Sequence, residues 1–302
     1  MTIELAKKYS SKVDEAFAAL SKTSLVTNQD YDWRGAHTVA VYKFTTATMN
    51  DYGRSRTPGL SVVDDGYGAA VSVSESISRY GDIYDLNGTV QEMMLTRDRS
   101  FIFNMDKMDV DESALVPAEA LARQIREVVI PERDKYIYQK MADNAGIKPA
   151  AVDLDSVQLY DELLKATEAM DEAEVPDERV LVVSPKAYAK LKKEIVALAY
   201  NDEDARARAM GVVGFIDGMA VVKVPSNLLP EDFGFMVAHE SACTAPVKLE
   251  DFGIHYDTPL SSGAIITGRI VYDAFVLDNK KNGIYYQAKT IANKPGEDNP
   301  SK

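Results

Sequence analysis

Residues 45–87 break every periodic pattern within a few positions. Gly53, Gly59, Gly66, Gly68 and Gly81, Pro58 and the pair Asp64-Asp65 punctuate the stretch, and glycine and proline at that density interrupt helix and strand alike. An insertion of about 40 residues with no structure of its own is foreign to the inside of a compact domain. The stretch therefore carries short strands or packs on something outside its domain. Its flanks are strand-like. After Tyr31 and Trp33, the run Thr38-Val39-Ala40-Val41-Tyr42-Lys43-Phe44 alternates with the period of two that a strand requires. On the far side, residues 92–95 and 100–106 also read as strand and are expected to return antiparallel to the first run. The excursion then becomes an extended hairpin loop with its tip far from its base.

The rest of the chain is organised around this loop. Residues 4–20 space Leu5, Val13, Phe17 and Leu20 as a loosely amphipathic helix, an arm with too little apolar surface to fold alone. Beyond the loop, Asp109, Asp111 and Glu112 form an acidic helix-start signal, since negative charge is favourable at a helix N-terminus. The spacing of Leu121, Ile125, Val128, Val129, Tyr136 and Met141 predicts one long helix over residues 113–146 with its apolar face packed under the sheet. Pro131 inside it removes a backbone donor, so a kink or break near Ile130 is expected. A second helix is predicted over 156–173, with Val157, Leu159, Tyr160, Leu163 and Leu164 as its apolar face. Strands at 180–183 and 218–224 flank a third helix that Ser184-Pro185 opens and that runs to residue 193. Residues 150–245 thus form a compact α/β or α+β unit. Residues 265–291 alternate by strand period, with a hairpin signal at Asn282-Gly283. The tail from residue 293 has the composition of a disordered segment. No internal repeat is present.

Composition narrows the function. With 34 Lys and Arg against 47 Asp and Glu, the net charge is −13, which disfavours a surface that grips phosphate backbones. No window approaches the roughly 18 apolar residues that cross a bilayer. Glu4, Lys7 and Lys8 stand where a signal peptide needs an apolar core, so the expectation is a chain that stays in the cytosol. Cys243 is the single cysteine and has no intrachain disulfide partner. The segment His239-Glu240-Ser241-Ala242-Cys243 begins like a zinc-protease helix but lacks the second histidine. Gly211, Gly214 and Gly218 lack the dinucleotide fingerprint and the phosphate-loop spacing, and there is no Gly-x-Ser-x-Gly elbow. Asp64-Asp65 and the Asp109, Asp111, Glu112 run have the residues for acid–base work or for a hard cation, and equally those of solvated surface and a helix start. No catalytic, cofactor-binding or metal-binding residue is assigned, and the expectation is a protein that is not an enzyme.

The order of parts is more informative than any motif. A short helical arm, a strand, a long loop, a returning strand, a long helix, a compact α/β unit and a final β segment that rejoins the first strands resemble the major capsid proteins of tailed phages and prophages, the Hong Kong 97 type. Asn28-Gln29-Asp30-Tyr31-Asp32-Trp33, Met49-Asn50-Asp51-Tyr52, Arg97-Asp98-Arg99-Ser100-Phe101-Ile102-Phe103, Ile125-Arg126-Glu127-Val128-Val129-Ile130-Pro131-Glu132 and Gly283-Ile284-Tyr285 look like capsid sequences of that family. The resemblance covers nearly the whole chain. It implies an α+β Hong Kong 97-type fold divided into an N-terminal arm (1–31), an extended loop (45–91), a peripheral domain with spine helix (32–44 and 92–151), an axial domain (152–245), a return to the peripheral domain (246–291) and a flexible tail (292–302).

What the resemblance implies for function is self-assembly. Hexamers and pentamers tile an icosahedral virion shell, built in the cytoplasm of the bacterial host, that encloses double-stranded DNA without sequence-specific binding and without a membrane. A separate scaffolding protein, a portal and a cement protein are the implied partners. Tyr52, Arg54, Arg56, Asp64, Asp65, Arg97 and Arg99 are the candidate contacts between subunits, because a guanidinium suits bidentate pairing with a neighbour's carboxylate. The type member of the family is known for an isopeptide bond between a loop lysine and a neighbour's asparagine. Here no lysine lies between Lys43 and Lys107, so that bond is not expected. Two alternatives stay open: an encapsulin-like compartment that shares the fold but houses enzymes, and a cytosolic enzyme with an α/β domain.

Overall fold

A computed structural model describes residues 21–28, 30–31, 38–44, 46, 49–52, 80, 88–108, 116–194, 212–256 and 262–290. The helix expected over 4–20, the acidic signal at Asp109 to Glu112 and the tail from residue 293 lie outside these. The chain divides into two units, residues 40–93 and the remainder.

The smaller unit is built on β1 (Thr38–Phe44) and β2 (Gly88–Met94), which form a two-stranded sheet of their own. The strand at 100–106 does not join them. It belongs to β3 (Arg97–Asp106), whose partner in a different sheet is the strand Gly263–Tyr272. The chain therefore leaves the excursion through β2 and changes sheets at Leu95 and Thr96, a switch that alternation alone does not reveal.

In the larger unit, α1 (Pro117–Gln124) starts with proline at its first turn, where the missing N–H costs no hydrogen bond. It passes through a π turn at Ile125–Val129 into α2 (Ile130–Asn144), so the expected break is a local widening of one continuous spine helix. The Ile130 N–H reaches back five residues to the Ile125 carbonyl. A wider turn there relieves the clash between the Pro131 ring and the carbonyl four residues earlier. The burial expected along the helix holds only for its second half: Ile137, Tyr138, Met141 and Ala142 are buried, whereas no residue of the π turn is. Next come α3 (Leu159–Glu172), β4 (Arg179–Val183) and α4 (Pro185–Glu194). Leu164 is 41% exposed and leaves the apolar face predicted for α3. The Ser184 hydroxyl accepts from the Ala187 N–H at 3.2 Å and caps α4.

Strands β5 (Val212–Ile216) and β6 (Met219–Lys223) form a hairpin across Asp217 and Gly218, both with positive φ. After them come β7 (Phe233–His239), β8 (Cys243–Thr244), β9 (Val247–Tyr256), β10 (Gly263–Tyr272), β11 (Phe275–Val276) and β12 (Ile284–Ala288). One sheet has the order β12-β7-β4-β6-β5, another β3-β10-β9, and β11 pairs with β8.

Two expectations fail at the end of the chain. β12 pairs antiparallel with β7 and so belongs to the five-stranded sheet, not with the first strands. Asn282-Gly283 makes no hairpin, because residues 278–283 form a 3-10 turn between strands of different sheets. The five-stranded sheet is buried on both faces. Val182, Val222, Met236 and Ile284 meet Ile137, Tyr138 and Met141 of the spine helix, and Leu181, Val183, Val221 and Phe235 meet Leu159, Leu163 and Met170 of α3. Residues Leu181 to Val183 alternate between the two cores with the period of a strand. The outer edge of β12 is covered by single bridges from Ile147 and Val152.

Candidate assembly surfaces

The smaller unit has little to bury its own aromatic groups. Tyr42 and Phe44 point to one face of β1 and are 68% and 67% exposed. A two-stranded ribbon is marginal by itself in water. Tyr52 and Tyr80, eight positions beyond Phe44 and eight before Gly88, meet edge to face with ring centroids 5.1 Å apart. Of the residues predicted to contact neighbours, Tyr52 is thus in an exposed aromatic pair, while Arg54, Arg56, Asp64 and Asp65 lie outside the described residues.

Arg97 and Arg99 both have partners within the chain. The Arg97 guanidinium lies 4.5 Å from the centroid of the Tyr136 ring, and the Arg99 Nε is 2.7 Å from Glu132. Both partners are in the first turns of α2. The alternation of β3 places these arginines on the face that meets the spine helix.

Two buried carboxylates that sequence reasoning missed organise the surroundings. Asp273, 3% exposed, follows β10 and accepts four hydrogen bonds: from the Thr96 N–H at 2.9 Å, the Thr96 hydroxyl at 2.7 Å, the Tyr136 hydroxyl at 2.7 Å and the Ala274 N–H at 2.8 Å. Asp134 on α2 accepts from Ser21 at 2.9 Å and Thr23 at 3.3 Å. Burial raises its pKa, against the lowering effect of the Ser21 hydrogen bond, the Arg133 charge and the Thr23 hydrogen bond. Residues 21–28, expected to form part of an arm without a core, are docked here: Val26 is fully buried, and Asn28 bridges to Thr244 through backbone and side chain. No local pattern announces either carboxylate, because their donors come from distant segments.

The three-stranded sheet carries an apolar face of half-buried rings. Phe101 and Phe252 stack 6.0 Å apart across β10, where Gly268 leaves the room: a Cβ there would lie 2.3 Å from the Phe101 ring. On the opposite face Arg269 clamps Asp98 with two hydrogen bonds at 3.0 and 2.6 Å, and this exposed pairing holds the Asp98 carboxyl below its ordinary range.

The residues examined for chemistry have other roles. The His239 ring accepts from the Ser241 N–H at 3.2 Å in a turn. Cys243 is buried, and desolvation pushes its thiol up to about 12. Among the described residues no group of three His, Cys, Asp or Glu side chains is placed to hold a metal. A cavity of about 520 Å³ lies beside α4, lined by Leu154, Phe233, Lys135, Lys186, Lys190 and Lys289 among others. Lys186 there is paired with Asp155 at 2.7 Å, and Lys190 donates to the Leu154 and Val157 carbonyls.

No protein-family model matches the sequence, and no curated protein matches it. The fold is shared with solved structures at low identity. A structure from Mycobacterium phage Che8 is 20% identical, with a TM-score of 0.67 over 95% of this chain and 96% of that one. The capsid of the cyanophage P-SCSP1u is 15% identical, with a TM-score of 0.67 over 95% and 93%. The mature capsid of bacteriophage PhiM1 is 16% identical, with a TM-score of 0.63 over 96% and 93%. The likeness extends over nearly the whole length, and the chain has the Hong Kong 97-type fold of tailed-phage capsid proteins.

Proposed function

We propose that this chain is a major capsid protein that assembles with copies of itself, as hexamers and pentamers, into a closed icosahedral virion shell around the double-stranded DNA of a tailed phage. The observation that carries this reading is coverage: structures titled as phage capsids match 95% or more of this chain, loop unit included. A shared enzyme domain would match in part. The exposed aromatic groups of the small unit fit the same reading, because Tyr42, Phe44, Tyr52 and Tyr80 acquire their burial from neighbouring subunits. Tyr52, Arg54, Arg56, Asp64 and Asp65 remain the proposed contacts of the loop. A scaffolding protein, a portal and a cement protein are the partners such a shell calls for, and assembly takes place in the host cytoplasm.

The test is sedimentation and electron microscopy of the full-length chain, expressed alone and from its complete phage. Closed shells that carry DNA are expected from the phage. Shells whose contents are protein would instead identify a compartment, and a small oligomer in both preparations would overturn the reading.

A further inference from the structure

The three-stranded sheet and the spine helix meet along a seam where β10 buries Ala264, Ile266, Ile270 and Tyr272 while the elements beside it bury little. No residue of β3 or of β9 is fully buried, and in α1 and the π turn only Pro117 is. Apolar contact of this kind attracts without direction and permits small rotations. Directional bonds cross the same seam, and they converge on one residue.

Arg97 and Tyr272 are the last pair of the β3·β10 ladder. One step further the ladder stops, and the Asp273 carboxylate takes the Thr96 N–H and hydroxyl on one oxygen, and the Tyr136 hydroxyl and Ala274 N–H on the other. The sheet end and the spine helix are thereby bonded to the same carboxylate. Tyr136 is held from its sides as well, by the Arg97 guanidinium at 4.5 Å and the Tyr272 ring at 5.7 Å. Two ion pairs, Arg99 with Glu132 at 2.7 Å and Arg133 with Glu250 at 3.7 Å, flank the cluster on β3 and β9; the first is exposed on both sides and such pairs are weak, and the second is long and joins a half-buried arginine to an exposed glutamate. The buried carboxylate, with every acceptor position engaged, is the rigid element.

We infer that Asp273 is a positioning residue for assembly, which fixes the angle between the β3-β10-β9 sheet and the spine helix and so gives every subunit the same shape. The inference rests on the capsid reading. In a closed shell made of one chain, each copy must present its contact surfaces at reproducible angles, and a few degrees of freedom inside the subunit accumulate from neighbour to neighbour until closure varies. Thr96 and Tyr136 act through Asp273, and each contributes a hydroxyl that can be removed without loss of volume.

The experiment compares shells of the full-length wild type with those of Thr96→Val, Tyr136→Phe, Thr96→Ser and a control, Met170→Ala, whose buried side chain lies in the core beneath α3. Thermal melting reads stability and electron microscopy reads diameter. Tyr136→Phe and Thr96→Val are expected to melt no lower than Met170→Ala, yet to give at least a twofold wider spread of diameters, with tubes or open sheets. Thr96→Ser restores the wild-type distribution, and Met170→Ala keeps it. Wild-type diameters from both hydroxyl deletions overturn the inference and leave the capsid reading intact. Equal broadening in Met170→Ala, or loss of soluble protein in both deletions, assigns the cluster to stability alone and also overturns it. A wild-type chain that forms no shell in any preparation overturns the capsid reading and the inference together.

Discussion

Arg179 is a cation that the fold uses as a cap. It is 4% exposed, and its guanidinium donates to the Pro176 carbonyl at 2.9 Å, to the Val175 carbonyl and to Thr167 at 3.5 Å, while Asp171 lies 2.7 Å away. The turn between α3 and β4 thus finds donors for the carbonyls of residues that are half-buried or exposed. Arg179→Met keeps the stem and removes the donors, and is expected to cost about 1–2 kcal/mol, since hydrogen bonds from a charged donor contribute roughly that much where water can replace them. A urea midpoint that does not move contradicts this. Asp134 gives a pH signature. Its carboxyl is held above the ordinary carboxylate value by burial, so below that ordinary value its neutral form contributes fully to stability, and the contribution is lost as pH rises through the native pKa. Asp134→Asn keeps an acceptor for Ser21 and Thr23 without a charge. Its melting temperature relative to wild type is expected to climb between pH 4 and pH 7, and a difference that is flat or falls with pH would show that the carboxylate is not the cause.

At the scale of elements, the spine helix shows how one residue shapes a longer piece. Pro131 has no N–H to offer, and the turn before it is wound with five-residue hydrogen bonds. Pro131→Ala supplies the donor and is expected to tighten the π turn to ordinary α geometry, with a gain of about 1 kcal/mol, since the widened turn has already absorbed much of the roughly 3 kcal/mol proline penalty. Hydrogen exchange checks this: the amides of residues 129, 130 and 132 exchange more slowly in the variant, whereas unchanged rates there would mean that the wide turn has another origin. Most elements were legible beforehand because they repeat. Thr38–Phe44 alternates, Met219–Lys223 and Pro185–Glu194 were found within a residue or two, and the long helix has helical spacing. Partners were not legible. Ile284–Ala288 is a strand by composition, but nothing in its five residues says that β7 is its neighbour. Asp273 and Arg179 look like surface residues until their partners, up to 177 positions away, are in place. Ile125 is only half-buried, so Ile125→Asp costs less than the full burial of a carboxylate would imply.

For the whole molecule, residues 40–93 form a unit by themselves. Deletion of residues 57–78 is expected to leave a soluble subunit that melts within a few degrees of the parent and fails to close into shells; normal shells would remove the loop from the assembly mechanism. No lysine lies between Lys43, in β1, and Lys107, just past β3. Arginine stays protonated and is a poor nucleophile toward an amide. Mature particles boiled in detergent are therefore expected to run as one band near 33.3 kDa, and a ladder of linked oligomers would refute this.

The place of β12 in the chain bears on manufacture. The strand that closes the β7 edge follows all the other described strands in the chain, and Ile284 and Tyr286 join a core to which Val26 and the spine helix already contribute. A growing chain keeps that edge bare until residue 288 has left the ribosome, so the building block matures only after synthesis. A product stopped short of residue 284 lacks the strand that finishes the sheet. On the proposed capsid reading, a truncated copy is thereby rejected before it is built into a shell, where it could not be replaced.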